Sequence, residues 1–279
     1  MSDSAAPASE PAMPDWPIRA CAWPRRPRDP NRPMRLIAPD ELPGWILHED
    51  DRFLVINKPG DVVCHPSKAG PWSSLVGALR EHTGLATLHL VFRLDRETSG
   101  VIVLAKDPAT ASRLQRAMQE RRVGKSYLVL LTGDLREPVT VDQPLGDDIS
   151  TPVFIKTWVR PDGKPAVTRF EPLTRGGGYT LARALPETGR KHQIRAHAHW
   201  LGLPVVGDKI YGPDPRCYLE FIDHGWTPAL AAKLLLSRQA LHCAQIDLTA
   251  AGAPKIFTAP LPADLAAFCR EKSIPVAEE

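Results

Sequence analysis

Leu90-Val91-Phe92-Arg93-Leu94-Asp95-Arg96-Glu97-Thr98-Ser99-Gly100-Val101-Ile102-Val103-Leu104-Ala105-Lys106 reads as two apolar strands with a polar loop between them. Val91 and the run Val101 to Leu104 carry the β-branched and aliphatic side chains of buried strands, whereas Arg93, Asp95, Arg96, Glu97 and Thr98 crowd charge and hydroxyl into the connection. Charged loops held at the ends of buried strands are where sites concentrate, because the scaffold fixes them while ligand can still reach them. Taken alone, such a segment is most often an ordinary polar turn, with Gly100 supplying a permissive backbone.

Upstream, Arg52 to Ile56 is an apolar strand closed by Asn57-Lys58-Pro59-Gly60, and Ser73 to His82 has Leu75, Val76 and Leu79 at helical spacing with Gly84 as a stop. Downstream, Asp107-Pro108 starts a helix, an N-cap acid followed by proline at the first helical position. Its apolar stripe is Ala111, Leu114, Ala117 and Met118, and Arg113, Arg116, Arg121 and Arg122 lie off it as a solvated or phosphate-tracking face. Strands follow over 124–133, 166–173 and 179–185. The spacing then predicts a helix from Thr188, as N-cap, to a stop at Gly202. Ile194, Ala198 and Leu201 share one face of it, and His192, Arg195 and His199 another. Residues 204–212 read as a turn and short strand, 218–236 as a helical insert, and a last pair of strands ends near Thr258 before a helix over 262–271. Strands before and after a few helices, without regular βαβ alternation, argue for an α+β architecture with a largely antiparallel sheet.

The 279 residues, 43% hydrophobic and 24% charged with a net charge of +3, have the composition of a soluble globular enzyme and permit nucleic-acid binding without demanding it. Residues 1–44 are rich in proline, with Arg25, Arg26, Arg28 and Arg32 adding positive charge, and are expected to form a flexible basic arm ahead of an ordered domain over 45–279. The sequence has neither the roughly 18 to 20 apolar residues needed to cross a bilayer nor a secretory start, so a cytoplasmic location is expected. The five cysteines are scattered, with no Cys-x-x-Cys pair, and are expected to be reduced. His192, His197 and His199 invite a metal reading, but none is four residues from another and no acid or cysteine lies nearby to complete a tetrahedral set. Ser99 and Ser126 lack a Gly-x-Ser-x-Gly setting, so acyl transfer is poorly supported.

Six separated blocks occur in order: Asn57-Lys58-Pro59; Arg93-Leu94-Asp95 with Thr98-Ser99-Gly100; Lys125-Ser126-Tyr127; Gly189-Arg190-Lys191-His192-Gln193-Ile194-Arg195; Val206-Gly207-Asp208 with Tyr211-Gly212; and Arg238-Gln239-Ala240-Leu241-His242. Together they closely resemble the RluA-like pseudouridine synthases, and they span nearly everything from Trp45 to the C-terminus. The resemblance implies a mixed, largely antiparallel sheet with flanking helices around a central active-site cleft, and the isomerisation of uridine in ribosomal or transfer RNA. By it Asp95 is the nucleophilic carboxylate, Arg195 its ion-pair partner, and Tyr127 the aromatic packed against the target uracil. Arg93 resembles the arginine that holds a flipped-out nucleotide's place in the stack. Lys125 and His192 are motif members without a transferable role, and Lys58 and Arg190 complete the candidate RNA contacts. No metal or organic cofactor, no membrane and no obligate protein partner is implied, and RNA is the expected partner. Many relatives have histidine directly before Arg-Leu-Asp; this chain has Phe92, expected to pack. Two rivals stand beside this reading: a catalytically inactive RNA-binding protein on the same fold, and a metal-dependent hydrolase built on the histidines.

Overall fold

The computed structural model describes residues 35–65, 70–253 and 255–276. Most of the expected Pro-rich arm, residues 1–34, lies outside them.

The described strands are β1 (Ile46–Glu49), β2 (Phe53–Lys58), β3 (His89–Leu90), β4 (Ser99–Ala105), β5 (Gly124–Thr132), β6 (Val139–Asp142), β7 (Leu145–Asp147), β8 (Thr157–Val159), β9 (Val167–Gly176), β10 (Tyr179–Pro186), β11 (Leu241–Asp247) and β12 (Ile256–Thr258). Helices are α1 (Leu75–Thr83), α2 (Pro108–Gln119), α3 (Gln193–Trp200), α4 (Arg216–His224), α5 (Pro228–Leu234) and α6 (Ala263–Glu271). One large sheet runs β1-β2-β4-β11-β5-β10-β9-β6, with β3 added to β4 and β12 to β11, and β7 and β8 pair as a separate hairpin. Pairing is antiparallel except between β4 and β11, which run parallel. The architecture is α+β, as the absence of βαβ alternation requires.

Continuous apolar runs explain the middle of the sheet. All seven residues of β4 are buried, as are Phe53 to Ile56 of β2, so both faces are covered there. Helix α2 packs on β4, and α3 packs on β8, β9 and β10. Local signals place the helix starts: the Ser74 hydroxyl accepts from Gly77 N at 3.2 Å, and the Asp107 carboxylate from Thr110 N at 2.8 Å. Gly84 ends α1 in the left-handed conformation.

Three expectations are corrected. Order begins before Trp45: Ile37 and Leu42 are buried, and a short 3-10 helix spans Pro39–Trp45, closed by a bond from Ala38 N to the Glu41 carboxylate at 2.9 Å. Proline there fixes the turn rather than preventing order. The helix expected from Thr188 starts only at Gln193, because the Gln193 side-chain oxygen accepts from both the Thr188 hydroxyl (2.7 Å) and Arg190 N (3.0 Å), holding the segment between them as a turn. Residues 204–212 form turns with an isolated bridge from Val205 to Leu131 instead of a strand.

Candidate active site

The loop joining β3 to β4 is fastened from behind before it presents anything in front. Lys58, fully buried at the end of β2, donates from its ammonium to the carbonyls of Pro59 (2.8 Å), Val62 (2.9 Å) and Arg96 (3.0 Å). The Glu97 carboxylate meets the Lys209 ammonium at 2.7 Å and accepts from Gln239 N at 3.2 Å. Arg238 donates to Glu97 O at 3.1 Å while its other edge forms a bidentate pair with Asp264 at 2.6 and 2.9 Å. Where the loop enters β4, Gly100 sits at φ +110°, and a Cβ there would lie 2.2 Å from Cys243 O. Only glycine permits β11 to approach so closely.

In front, the Asp95 carboxylate accepts from Arg195 Nη1 at 2.9 Å and from Gln239 Nε2 at 3.3 Å. Arg195, on α3 and buried, turns its remaining edge to Asp208, with Nε to Oδ2 at 2.6 Å and Nη2 to Oδ1 at 2.9 Å. Asp208 is itself fixed by Ile210 N (2.9 Å) and Tyr211 N (3.0 Å), and the Tyr211 ring lies 5.1 Å from the guanidinium carbon. Burial alone would raise the Asp95 pKa, but the adjacent Arg195 charge and the hydrogen bonds from Arg195 and Gln239 hold it below the ordinary carboxylate value. The same balance of burial against Arg195 keeps Asp208 ionised. Asp95 nevertheless keeps 32% of its side-chain surface accessible. The arrangement therefore offers an ionised, oriented and reachable carboxylate.

A cleft of about 610 Å³ opens over it, lined among others by Arg93, Lys125, Tyr127, Arg190, His192 and Arg195. Seven of the eight residues singled out in the sequence thus share one cavity with Asp95 among them. Tyr127, on β5, is buried, its hydroxyl paired with the Cys243 thiol, and burial first, then Cys243 and the Asp95 charge, push its pKa well above the usual phenol value. Burial lowers the Lys125 pKa, and burial followed by the Arg195 charge takes His192 down to about 4. Arg93 is exposed at the rim, and exposed Arg190 is steadied by a bond to Pro165 O at 3.0 Å. Phe92 is half-buried against the core.

Lys58 is the exception. Its ammonium is spent on loop carbonyls, and burial brings its pKa down to about 8, so it anchors the loop instead of facing RNA. The three histidines of α3 and its N-cap are each committed to protein atoms: His192 to the Tyr211 hydroxyl, His197 to Thr168 and Gln143 O, His199 to Tyr211 O. No group of three metal-ligating side chains occurs among the described residues.

A family profile described as RNA pseudouridylate synthase matches residues 52–200, which contain the loop, Tyr127 and Arg195. The chain belongs to this family. It is 39% identical over 223 residues to an "Uncharacterized RNA pseudouridine synthase" of Chloroflexus aurantiacus, and 35% over 239 residues to a "Ribosomal large subunit pseudouridine synthase D" of Nitrosomonas europaea; these matches take in 77% and 82% of this chain. The chain spans 65% of the length of each of those two relatives. A "Ribosomal large subunit pseudouridine synthase D" of Xanthomonas campestris pv. campestris is 37% identical, with 82% of this chain and 69% of the relative covered. Among solved structures, the human RNA pseudouridylate synthase domain containing 4 superposes with a TM-score of 0.67 at 25% identity, covering 86% of this chain and 97% of the other. The mixed sheet with flanking helices is accordingly the pseudouridylate synthase fold. In this family member Asp208, Tyr211 and Gln239 complete the site, although the sequence marked them only as members of blocks. Asp208-x-x-Tyr211 was the available signal, an acid and an aromatic in a segment without regular structure.

Proposed function

We propose that the protein isomerises uridine to pseudouridine in ribosomal RNA, with transfer RNA as the second class to examine, and that Asp95 is the nucleophile. The observation that carries this is the Asp95 carboxylate: ionised by a guanidinium shared with Asp208, yet accessible at the floor of a cleft lined by Tyr127 and ringed by cations. An RNA-binding module has no use for an activated carboxylate of this kind. The names of the large-subunit relatives favour ribosomal RNA as substrate.

The reaction needs no redox change and no external group. An Asp95 oxygen attacks C6 of the uracil or C1′ of the ribose, the N1–C1′ bond breaks, the base turns, and a C5–C1′ bond forms. Release of Asp95, loss of the C5 proton and protonation of N1 complete an isomerisation in which atoms balance. A flat Tyr127 ring supports the extruded base, and exposed Arg93 fills the space it leaves in the stack. The Tyr127 hydroxyl also carries the proton exchange, giving its own proton to N1 of the turned base and taking up the C5 proton in its place. Its pKa is held up in part by the negative charge of Asp95, and that charge is cancelled once Asp95 is esterified. Lys125 and Arg190 meet backbone phosphate along the cleft.

The test is a map of pseudouridine across ribosomal and transfer RNA from cells with and without the gene. Loss of one or a few ribosomal positions is the expected result; an unchanged map in both RNA classes rejects the reading.

A further inference from the structure

We propose that Tyr211 locks His192 in a single neutral tautomer, with its proton on Nε2, so that His192 presents a neutral N–H donor to a carbonyl oxygen of the extruded uracil. This rests on the isomerase reading for its ligand, but the lock itself does not.

His192 occupies an unusual position. It is the residue before α3 and sits in the left-handed conformation at φ +55°, uncommon outside glycine although histidine takes it more readily than most side chains. Such a backbone persists only where the surroundings fix it, and it clusters at sites. The side chain it presents meets Tyr211, whose ring lies edge-on to the imidazole with centroids 5.7 Å apart and whose hydroxyl is 3.1 Å from Nδ1.

Hydrogen-bond accounting sets the tautomer. The fully buried Tyr211 hydroxyl already accepts Thr157 N–H at 2.8 Å, so its own proton needs an acceptor. The Thr157 hydroxyl has no other partner and acts toward the same phenolic oxygen as a donor, which leaves His192 Nδ1 to take the phenolic proton. Were Nδ1 protonated instead, the oxygen would accept two N–H groups and strand a buried phenolic proton, a costly arrangement. The imidazole proton therefore resides on Nε2. That nitrogen has no partner among the described residues, yet is not among the buried unpaired atoms, so it opens into the cleft that His192 lines.

Neutrality suits the place. The groups facing the ring are Arg195, Asp95, Asp208 and Lys191, and burial together with Arg195 outweighs the two carboxylates in keeping it uncharged. A charged imidazolium would compete with Arg195 for Asp95 and blunt the carboxylate. A neutral donor can hold a carbonyl oxygen and leave Asp95 ionised.

The experiment has two arms. In the first, ¹⁵N NMR of the ring nitrogens in the free protein should find His192 with protonated Nε2 and pyridine-like Nδ1 at neutral pH. Tyr211→Phe should fold and show a mixture of tautomers. Protonated Nδ1 in the parent, or an unchanged tautomer in Tyr211→Phe, overturns the lock. In the second, His192→Leu and His192→Gln are assayed on a large-subunit ribosomal RNA transcript. His192→Leu should raise KM roughly 2- to 12-fold, the range for one neutral hydrogen bond, with kcat changed less, and the amide donor of His192→Gln should recover part of the loss. An unchanged KM in His192→Leu, or a loss in kcat alone, overturns the donor role. If the parent makes no pseudouridine in the transcript, the isomerase reading and its donor role fall together, while the NMR arm still decides the lock.

Discussion

On the cleft side of the Arg93–Thr98 loop, Asp95 keeps 32% of its side-chain surface accessible and shares one guanidinium with a second carboxylate. On the far side, Glu97 keeps 18% and is held by a buried lysine, while Lys58 and Arg238 hold the carbonyls of Arg96 and Glu97. The residue types are alike on both sides. Their tasks divide by what each charge is left to do: the far-side cations are saturated by the chain itself, and the near-side carboxylate retains an open approach. A loop can expose a reactive group without losing its geometry only if something behind it is rigid.

The division predicts that changes in front abolish chemistry without unfolding the protein, and that changes behind do the reverse. Asp95→Asn should fold and bind RNA normally but lose pseudouridine formation by at least about 10,000-fold in single-turnover assays, because the amide keeps the shape and loses the attacking charge. Measurable turnover by a clean preparation would remove Asp95 from the mechanism. Tyr127→Phe keeps the ring and its apolar area, so RNA affinity should be nearly unchanged while turnover slows ~100- to 10,000-fold through loss of the proton-carrying hydroxyl. Equal turnover by the Phe variant would reduce Tyr127 to a platform.

Behind the loop, Lys58→Met leaves the carbonyls of Pro59, Val62 and Arg96 without their common donor, that of Val62 in a buried place. Urea unfolding should report a loss of about 2 to 4 kcal/mol, with the RNA affinity of the folded fraction unchanged. Weakened RNA binding at unaltered stability would instead make Lys58 a reader of RNA and break the comparison. The smallest effect concerns His242 on β11, whose Nδ1 meets the Ser99 hydroxyl at 2.9 Å and whose Nε2 meets Ala259 O at 3.2 Å. Burial lowers its pKa to about 4. The folded ring thus stays neutral while the unfolded chain takes up a proton below its ordinary value of 6.5, so stability is lost as pH falls from 6.5 toward 4. Between pH 7 and 5 this costs about 1 to 2 kcal/mol, and thermal melts of His242→Gln should show a correspondingly flatter pH slope. An identical slope in both proteins would assign the acid sensitivity elsewhere.

Much of this was legible in the chain because local rules agree with the fold. The run Val101 to Leu104 reads as a buried strand and Asp107-Pro108 as a helix start, whereas Asp95 is singled out by the resemblance of its block, since the charged loop alone reads as an ordinary turn. The misreadings have physical causes. Thr188 looks like an N-cap, yet the Gln193 side chain competes for the same backbone and delays the helix. Lys58 and Arg93 are both cations beside turns, and nothing in their neighbours says that one will be buried against carbonyls and the other left at a rim. Asp208 and Tyr211 acquire their roles only through Arg195, thirteen residues or more away in sequence, across a segment with no periodicity to announce it.

The parallel pairing between β4 and β11, the only one among the described residues, joins segments made far apart in time during synthesis. Ser99, the first residue after the loop, is joined to His242 across 143 positions, and the Glu97 backbone waits on Arg238 for its clasp. Contacts so distant in sequence form late. While the ribosome is still making the chain, Asp95 and Arg195 can both have emerged with the loop between β3 and β4 held from behind by Lys58 and its bonds to Arg238 and Gln239 still unmade. The fastening of the loop is completed only when the β11 segment arrives, so a nascent or prematurely ended chain holds Asp95 through Arg195 but without Gln239 and the Arg238 clasp on Glu97.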